Sequence, residues 1–78
     1  MPVLTEGDVE VWIFFADPAR HVRCFVKGFE VVIDLNVPGV IQSYDSNLPS
    51  SGVLGKALRT VQKNLEFLRK TWDEMEAL

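Results

Sequence analysis

The chain has 78 residues, of which 47% are hydrophobic and 24% charged, a composition typical of a globular protein. A chain this short buries only about 60% of the surface that its unfolded form exposes, so it holds one domain with one small core. Its 11 acidic and 8 basic residues give a net charge of −3. Because nucleic-acid binders concentrate Lys and Arg to contact phosphates, we do not expect a nucleic-acid partner.

The cysteine content and the N-terminal residues bear on location. A single Cys24 excludes an intramolecular disulfide and a thiolate-rich zinc site, and it fits a reducing compartment. The first residues carry no basic region, and the longest unbroken apolar run, Val11 to Ala16, is far shorter than the roughly 20 residues of a membrane helix. We therefore expect a cytoplasmic protein that does not contact membranes.

The first half of the chain has the β-branched and aromatic composition of strands. We predict strands at Val3–Thr5, Val9–Phe15, His21–Val26, Phe29–Leu35 and Val40–Tyr44. The first and last of these are short, so the antiparallel sheet has three to five strands. The second strand ends at Asp17-Pro18, since proline cannot donate to a strand ladder.

The two central strands are joined by Lys27-Gly28, a two-residue connection that is typical of a tight hairpin. Such a loop fixes which residues lie opposite one another. On one face the opposed pairs are apolar: Val26 with Phe29, Cys24 with Val31, and Val22 with Ile33. On the other face they are Phe25 with Glu30, Arg23 with Val32, and His21 with Asp34. The apolar pairs therefore belong with the core.

The same alternation sorts the preceding strand. Val9, Val11, Ile13 and Phe15 join the core face, whereas Glu10, Trp12 and Phe14 join the second face. This second face combines aromatic side chains with Arg23, which is the composition of interaction hot spots. The alternative is a solvated sheet that its cross-strand pairs stabilise.

The C-terminal part carries apolar residues at helical spacing after a loop rich in Ser, Asn and Pro. The repeat consists of Leu54, Leu58, Val61, Leu65, Leu68, Trp72 and Met75. It predicts one long helix over residues 53–77, with Ser50 or Ser51 as its N-cap. Together with a sheet over residues 3–44, this gives a single two-layer α+β domain, 1–78, with the helix packed on one face.

The length of this helix raises the question of self-association. Twenty-five helical residues span about 37 Å, whereas a strand of six or seven residues covers roughly 20 to 23 Å. Part of the end formed by Leu68, Trp72, Met75 and Leu78 should therefore overhang the sheet. That end would be covered by a second copy in a homodimer, although packing on its own sheet explains the apolar stripe equally well.

The chain offers few groups for catalysis. His21 opposite Asp34 resembles an acid–base pair, but no nucleophile can be placed beside it, which argues against a catalytic triad. With Arg23 the pair could form a patch for RNA cleavage or phosphate binding, and the simpler reading is a solvated His–carboxylate pair. One His with scattered carboxylates fits no metal site, and the glycines lack P-loop spacing, so we expect no metal and no cofactor.

Several short motifs point to a family. They are Met1-Pro2, a strand ending in an aromatic pair, His21-Val22-Arg23, Gly28-Phe29, Asp34-Leu35-Asn36, Leu48-Pro49 and the helix ending from Leu68 through Trp72. Their order resembles a family of small bacterial proteins with an N-P-P-H-x-H strand, known as a domain of unknown function. Here Ala19-Arg20 replace the prolines and Arg23 replaces the second histidine. The resemblance implies a sheet-plus-helix protein whose genes often lie near toxin–antitoxin-like modules.

These observations favour a non-enzymatic interaction module. We expect it to dock a protein partner through Trp12, Phe14, Arg23 and Phe25, or through the helix end near Trp72. A regulatory role follows, either antitoxin-like or as an inhibitor that occludes the surface of a host complex. The alternative is a small ribonuclease-like toxin that uses His21, Arg23 and Asp34.

Overall fold

The fold is a five-stranded antiparallel sheet followed by two helices. The structure, a computed structural model, describes residues 1–14, 20–36, 41–43 and 51–78, the third of these ranges by its backbone alone. The strands are β1 (Leu4–Glu6), β2 (Val9–Trp12), β3 (His21–Val26), β4 (Phe29–Asp34) and β5 (Ile41–Ser43). They lie in the order β1-β2-β3-β4-β5, so each strand pairs with its neighbours along the chain. The helices are α1 (Ser51–Lys63) and α2 (Leu65–Glu76).

The β3–β4 hairpin has the geometry that its loop dictates. Lys27 and Gly28 both have positive φ, 51° and 81°, as a two-residue loop matched to strand twist requires. This loop sets a register in which Val26 lies opposite Phe29 and His21 opposite Asp34. All six predicted pairs across the hairpin are confirmed.

The pairing of β2 with β3 places their side chains on the same two faces of the sheet. Val11 lies opposite Cys24, and Trp12 lies opposite Arg23. The predicted second strand reached Phe15, whereas β2 ends at Trp12, and Phe15 itself lies outside the described residues. Residues 40 and 44 of the predicted last strand, and the proposed cap Ser50, lie outside them as well.

Apolar side chains from one sheet face and from both helices form the core. Its buried members are Val9, Val11, Ile13, Val22, Cys24, Val26, Val31, Ile33 and Leu35 of the sheet region, with Val53, Ala57, Val61, Leu68 and Trp72 of the helices. Apart from Leu35, the sheet members are residues that strand alternation assigned to the core face. The two-layer α+β class is therefore confirmed.

The prediction of one long helix is wrong, because the helix divides at Asn64. That residue has φ −112° and ψ 22°, outside helical geometry. Its side-chain amide donates to the carbonyl oxygen of Thr60 at 2.8 Å and to Glu6 Oε2 at 3.0 Å. A side chain that bonds to nearby backbone and to a strand 58 residues away competes with regular helix at this point.

The C-terminal part of the apolar stripe packs into the core. Leu68 is fully buried and Trp72 is 3% exposed, while Met75 packs against the core from a partly buried position. The expectation that Leu68 and Trp72 overhang the sheet is wrong, because both side chains are buried in the core together with residues of the strands. Trp72 is a core residue, so its side chain is not available for the docking role predicted for it.

Polar contacts connect the two helices to the sheet at opposite ends of the strands. Near the β1–β2 turn, Lys63 Nζ lies 2.7 Å from Glu6 Oε1, and Lys56 Nζ lies 3.0 Å from Asp8 Oδ2. At the other end, Arg20 forms an ion pair with Asp73, and Arg69 Nε donates to the carbonyl oxygen of Leu35 at 2.9 Å. In the described ranges, neither helix has the length and apolar character needed to cross a bilayer.

Candidate functional site

Aromatic side chains lie together on the sheet face opposite the helices. The ring centroids of Trp12 and Phe14 are 5.9 Å apart with planes at 10°, a stacked arrangement. The Trp12 and Phe25 rings are 6.3 Å apart and nearly perpendicular, at 83°. We call the surface formed by Trp12, Phe14, Arg23 and Phe25 the aromatic face. Sequence alternation predicted that these four side chains share one side of the sheet, and the structure brings them into contact.

Arg23 is held between an aromatic ring and a carboxylate. Its guanidinium carbon lies 5.0 Å from the centroid of the Phe14 ring, within the range of a cation–π interaction. Its Nη1 donates to Glu30 Oε1 at 3.1 Å, and the two side chains are 27% and 25% exposed. Partial burial strengthens such a pair relative to a fully exposed one, so the guanidinium has a defined position on the face.

The side chains of the aromatic face differ in their exposure to solvent. Phe14 is 37% exposed, and the rings of Trp12 and Phe25 are partly buried by their neighbours. Val32, which strand alternation also assigned to this side, is only 7% exposed. The surface that a partner can reach is therefore made of the aromatic rings and the polar groups around them.

A shallow pocket adjoins the aromatic face at the hairpin end. It has a volume of about 360 Å³ and is lined by Asp8, Glu10, Trp12, Phe25, Lys27 and Gly28. We call it the turn pocket, because the β1–β2 and β3–β4 turns both contribute to it. The indole N–H of Trp12 donates to Glu10 Oε1 at 3.1 Å, which fixes the carboxylate beside the ring.

Sequence reasoning missed the turn pocket. Its charged residues Asp8 and Lys27 come from turns 19 residues apart, which the pairing of Val9 with Val26 brings side by side. The register between β2 and β3 was the missing information, since the connection between these strands does not fix it. The alternation of Glu10 and Trp12 with apolar residues was the only signal that pointed to this side of the sheet.

The two carboxylates of the turn pocket differ in their partners. Lys56 donates a hydrogen bond to the Asp8 carboxylate and holds the pKa of Asp8 below its ordinary value. Glu10 is exposed, and within the described parts of the chain no ion pair joins it to a Lys or Arg. The lining thus holds two carboxylates and the ammonium group of Lys27, and Lys56 adds a second ammonium group on Asp8.

The predicted acid–base pair is brought together but enclosed. His21 and Asp34 are cross-strand partners, and His21 is only 7% exposed. Asp34 Oδ1 accepts the backbone N–H of Asn36 at 2.6 Å. Cys24 is fully buried on the opposite face, where burial raises the pKa of its thiol to about 12. A thiol with so high a pKa is a poor nucleophile at neutral pH.

Metal ligation has no cluster to support it in the described ranges. Among those residues, no three His, Cys, Asp or Glu side chains lie close enough to hold a metal ion together. The single imidazole, His21, is paired in register with one carboxylate rather than grouped with several. What the described surface offers is aromatic rings, carboxylates and cations, which suit recognition of a partner.

Comparison with known proteins gives no match. No family model, no curated protein and no solved structure matches it. The resemblance to the small bacterial family with the N-P-P-H-x-H strand therefore stays a prediction. Function must be inferred from the geometry of the aromatic face and the turn pocket.

Proposed function

We propose that this chain is a non-enzymatic interaction module that docks a protein partner on its aromatic face. The observation that carries the proposal is the packing of Trp12, Phe14 and Phe25 against one another on the sheet side that the helices leave open. Trp and Arg are the residue types most enriched among interface hot spots. Scattered aromatic residues would need no explanation, but contiguous rings around an arginine form a surface fit for docking.

The contacts within the face lower the cost of binding. Stacking restrains Trp12 and Phe14, and the ion pair with Glu30 restrains Arg23. Ordering a flexible side chain at an interface costs about 0.5–1.5 kcal/mol, so a face that is already ordered keeps more of its contact energy as affinity. The strands beneath supply the rigid support, since their backbones are joined by ladder hydrogen bonds on both sides.

A regulatory role is the form of docking that we favour. The chain occludes part of its partner's surface, either as an antitoxin-like protein or as an inhibitor of a host complex. The small size of the domain suits this role, because a chain of 78 residues can cover a surface without contributing chemistry. We propose as well that the chain is cytoplasmic and that a second copy binds through the helices.

The ribonuclease-like alternative has less support. An acid–base histidine must reach its substrate, and His21 is 7% exposed. The guanidinium of Arg23 is engaged by Glu30 and by the Phe14 ring. The purified protein is therefore expected to leave RNA intact, and cleavage that His21→Ala abolishes would contradict the non-enzymatic proposal.

The docking proposal is tested with substitutions on the two layers of the molecule. A partner captured from the host extract is identified by mass spectrometry and purified, and its Kd is measured by calorimetry. Trp12→Ala is expected to weaken binding about tenfold or more, as removal of a hot-spot ring does. Phe67→Ala on the helical layer is the matched control, because Phe67 is 49% exposed and should leave Kd unchanged.

The more exposed Phe14 provides a variant that preserves the fold. Phe14→Ser removes a ring that is 37% exposed, and dispersed NMR spectra identify the variants that stay folded. Equal affinity of the partner for wild type, Trp12→Ala and Phe14→Ser would overturn docking on the aromatic face. Loss of affinity in Phe67→Ala alone would move the interface to the helices.

A further inference from the structure

We propose that the turn pocket binds an arginine or lysine side chain of the protein partner, an inference that rests on the proposed docking function. The pocket joins two aromatic rings, Trp12 and Phe25, to two carboxylates, Asp8 and Glu10. Aromatic faces attract cations through their quadrupole, with Trp the strongest of the three ring types. Carboxylates add direct charge attraction and accept hydrogen bonds from a guanidinium or ammonium group.

The aromatic part of the pocket has the shape of a corner. The planes of Trp12 and Phe25 meet at 83°, and both side chains line the pocket. A long basic side chain has an apolar stem and a charged end, so it can lay its stem along aromatic surface while its end reaches a carboxylate. The volume of about 360 Å³ is near the small end of the range for ligand pockets, which is roughly 300–1,000 Å³.

Glu10 is the carboxylate of the pocket that is available to a cation. Asp8 shares its charge with Lys56, but Glu10 receives only the indole N–H of Trp12 among the described contacts. A carboxylate has about four acceptor positions, so one hydrogen bond leaves it able to bind an incoming cation. Lys27 is the opposing charge in the lining, and it should reduce the affinity for a cation without reversing the preference.

The molecule already contains the arrangement that the pocket would complete. On the same face, the guanidinium of Arg23 lies over the Phe14 ring and pairs with Glu30. That cluster consists of a ring, a carboxylate and a cation. The turn pocket supplies a ring and a carboxylate, Trp12 and Glu10, that are held together by a hydrogen bond. The partner's side chain would supply the cation.

The test is an NMR titration with short capped peptides. The probe is Gly-Arg-Gly, and the control is Gly-citrulline-Gly, whose side chain is nearly isosteric with arginine but uncharged. The indole N–H signal of Trp12 reports on the pocket, and that of Trp72, which is 3% exposed in the core, is the internal reference. We expect the Trp12 signal to shift saturably with the arginine peptide and much less with the citrulline peptide, while the Trp72 signal stays in place.

Charge substitutions sharpen the test. Glu10→Gln keeps an acceptor for the Trp12 indole but removes the negative charge, so it should weaken arginine-peptide binding about threefold or more. Lys27→Ala should strengthen it by about twofold, since a like charge is removed. Glu66→Gln changes the net charge by the same amount on the helical layer, where Glu66 is exposed, and should have no effect.

The outcomes separate this inference from the docking proposal. Equal shifts with the arginine and citrulline peptides, or an unchanged Kd in Glu10→Gln, would overturn recognition of a basic side chain. A partner whose affinity falls with Trp12→Ala but not with Glu10→Gln would leave docking on the aromatic face intact and still reject the basic side chain. A Trp12 signal that no peptide moves would reject it as well.

Discussion

Adjacent residues on α2 differ strongly in the exposed fraction of their side chains. Leu68 is fully buried in the core, while its neighbour Phe67 is 49% exposed. The difference follows from helix geometry, because consecutive residues point about 100° apart around the axis. The two tryptophans also differ in burial. Trp72 lies in the core, and Trp12 lies on the aromatic face.

The neighbouring pair on α2 supports a prediction about stability. Leu68→Ala removes buried methyl groups and leaves a cavity, so it should lower the free energy of unfolding by about 2–5 kcal/mol. Phe67→Ala removes a larger side chain from an exposed position and should change the same free energy by no more than about 0.5 kcal/mol. Urea denaturation followed by circular dichroism measures both. Equal losses in the two variants would contradict the assignment of Leu68 to the core.

Trp72 also shows what sequence could not predict at this scale. Its place in the apolar stripe identified it as a residue that needs cover, but the stripe does not say whether that cover comes from the sheet or from a second chain. In the structure the cover comes from the core, where Trp72 is buried together with side chains of the strands. Cys24, by contrast, was assigned to the core face from strand alternation alone, and it is fully buried there.

At the scale of elements, the hairpin was predictable and the helix division was not. Lys27-Gly28 fixes a register within a few residues of sequence, so local chemistry is sufficient. The apolar stripe runs without interruption past Asn64, through Val61, Leu65 and Leu68. The division involves contacts with Glu6, 58 residues away, which no local pattern reveals.

The contacts of Glu6 lead to a prediction about pH. Two hydrogen bonds hold the pKa of Glu6 below its ordinary value of 4.5. The bond from Lys63 has the larger effect, and the bond from Asn64 has the second largest. Because the folded state favours the charged carboxylate, its stabilisation is present above pH 4.5 and is lost as the pH falls through the lowered folded pKa. Glu6→Gln should therefore lower Tm at neutral pH, and the difference from wild type should shrink in acid.

Thermal unfolding of both proteins between pH 7 and about pH 2.5 measures this difference. The group is exposed, so the effect is expected to be small and to decrease with added salt. A gap between the two Tm values that stays constant down to the lowest pH would show that the Glu6 carboxylate contributes nothing through its charge. A variant more stable than wild type at neutral pH would contradict the contact itself.

At the scale of the whole molecule, the two faces of the sheet have different roles. One face packs with the helices into the core and accounts for folding, and the other carries the rings and charges from which we infer function. The members of the aromatic face were predictable, because alternation places residues on faces. The turn pocket was not, because it needs the spatial neighbourhood of two turns.

The separation of the two faces is tested most directly by quenching of tryptophan fluorescence. The variants Trp72→Phe and Trp12→Phe each retain one indole, Trp12 on the aromatic face or Trp72 in the core, and acrylamide quenching is measured for each in the folded state. We predict stronger quenching and longer-wavelength emission for the partly buried Trp12 than for Trp72, which is 3% exposed. Equal quenching of the two indoles, or stronger quenching of Trp72, would contradict an open aromatic face opposite a helix-covered core.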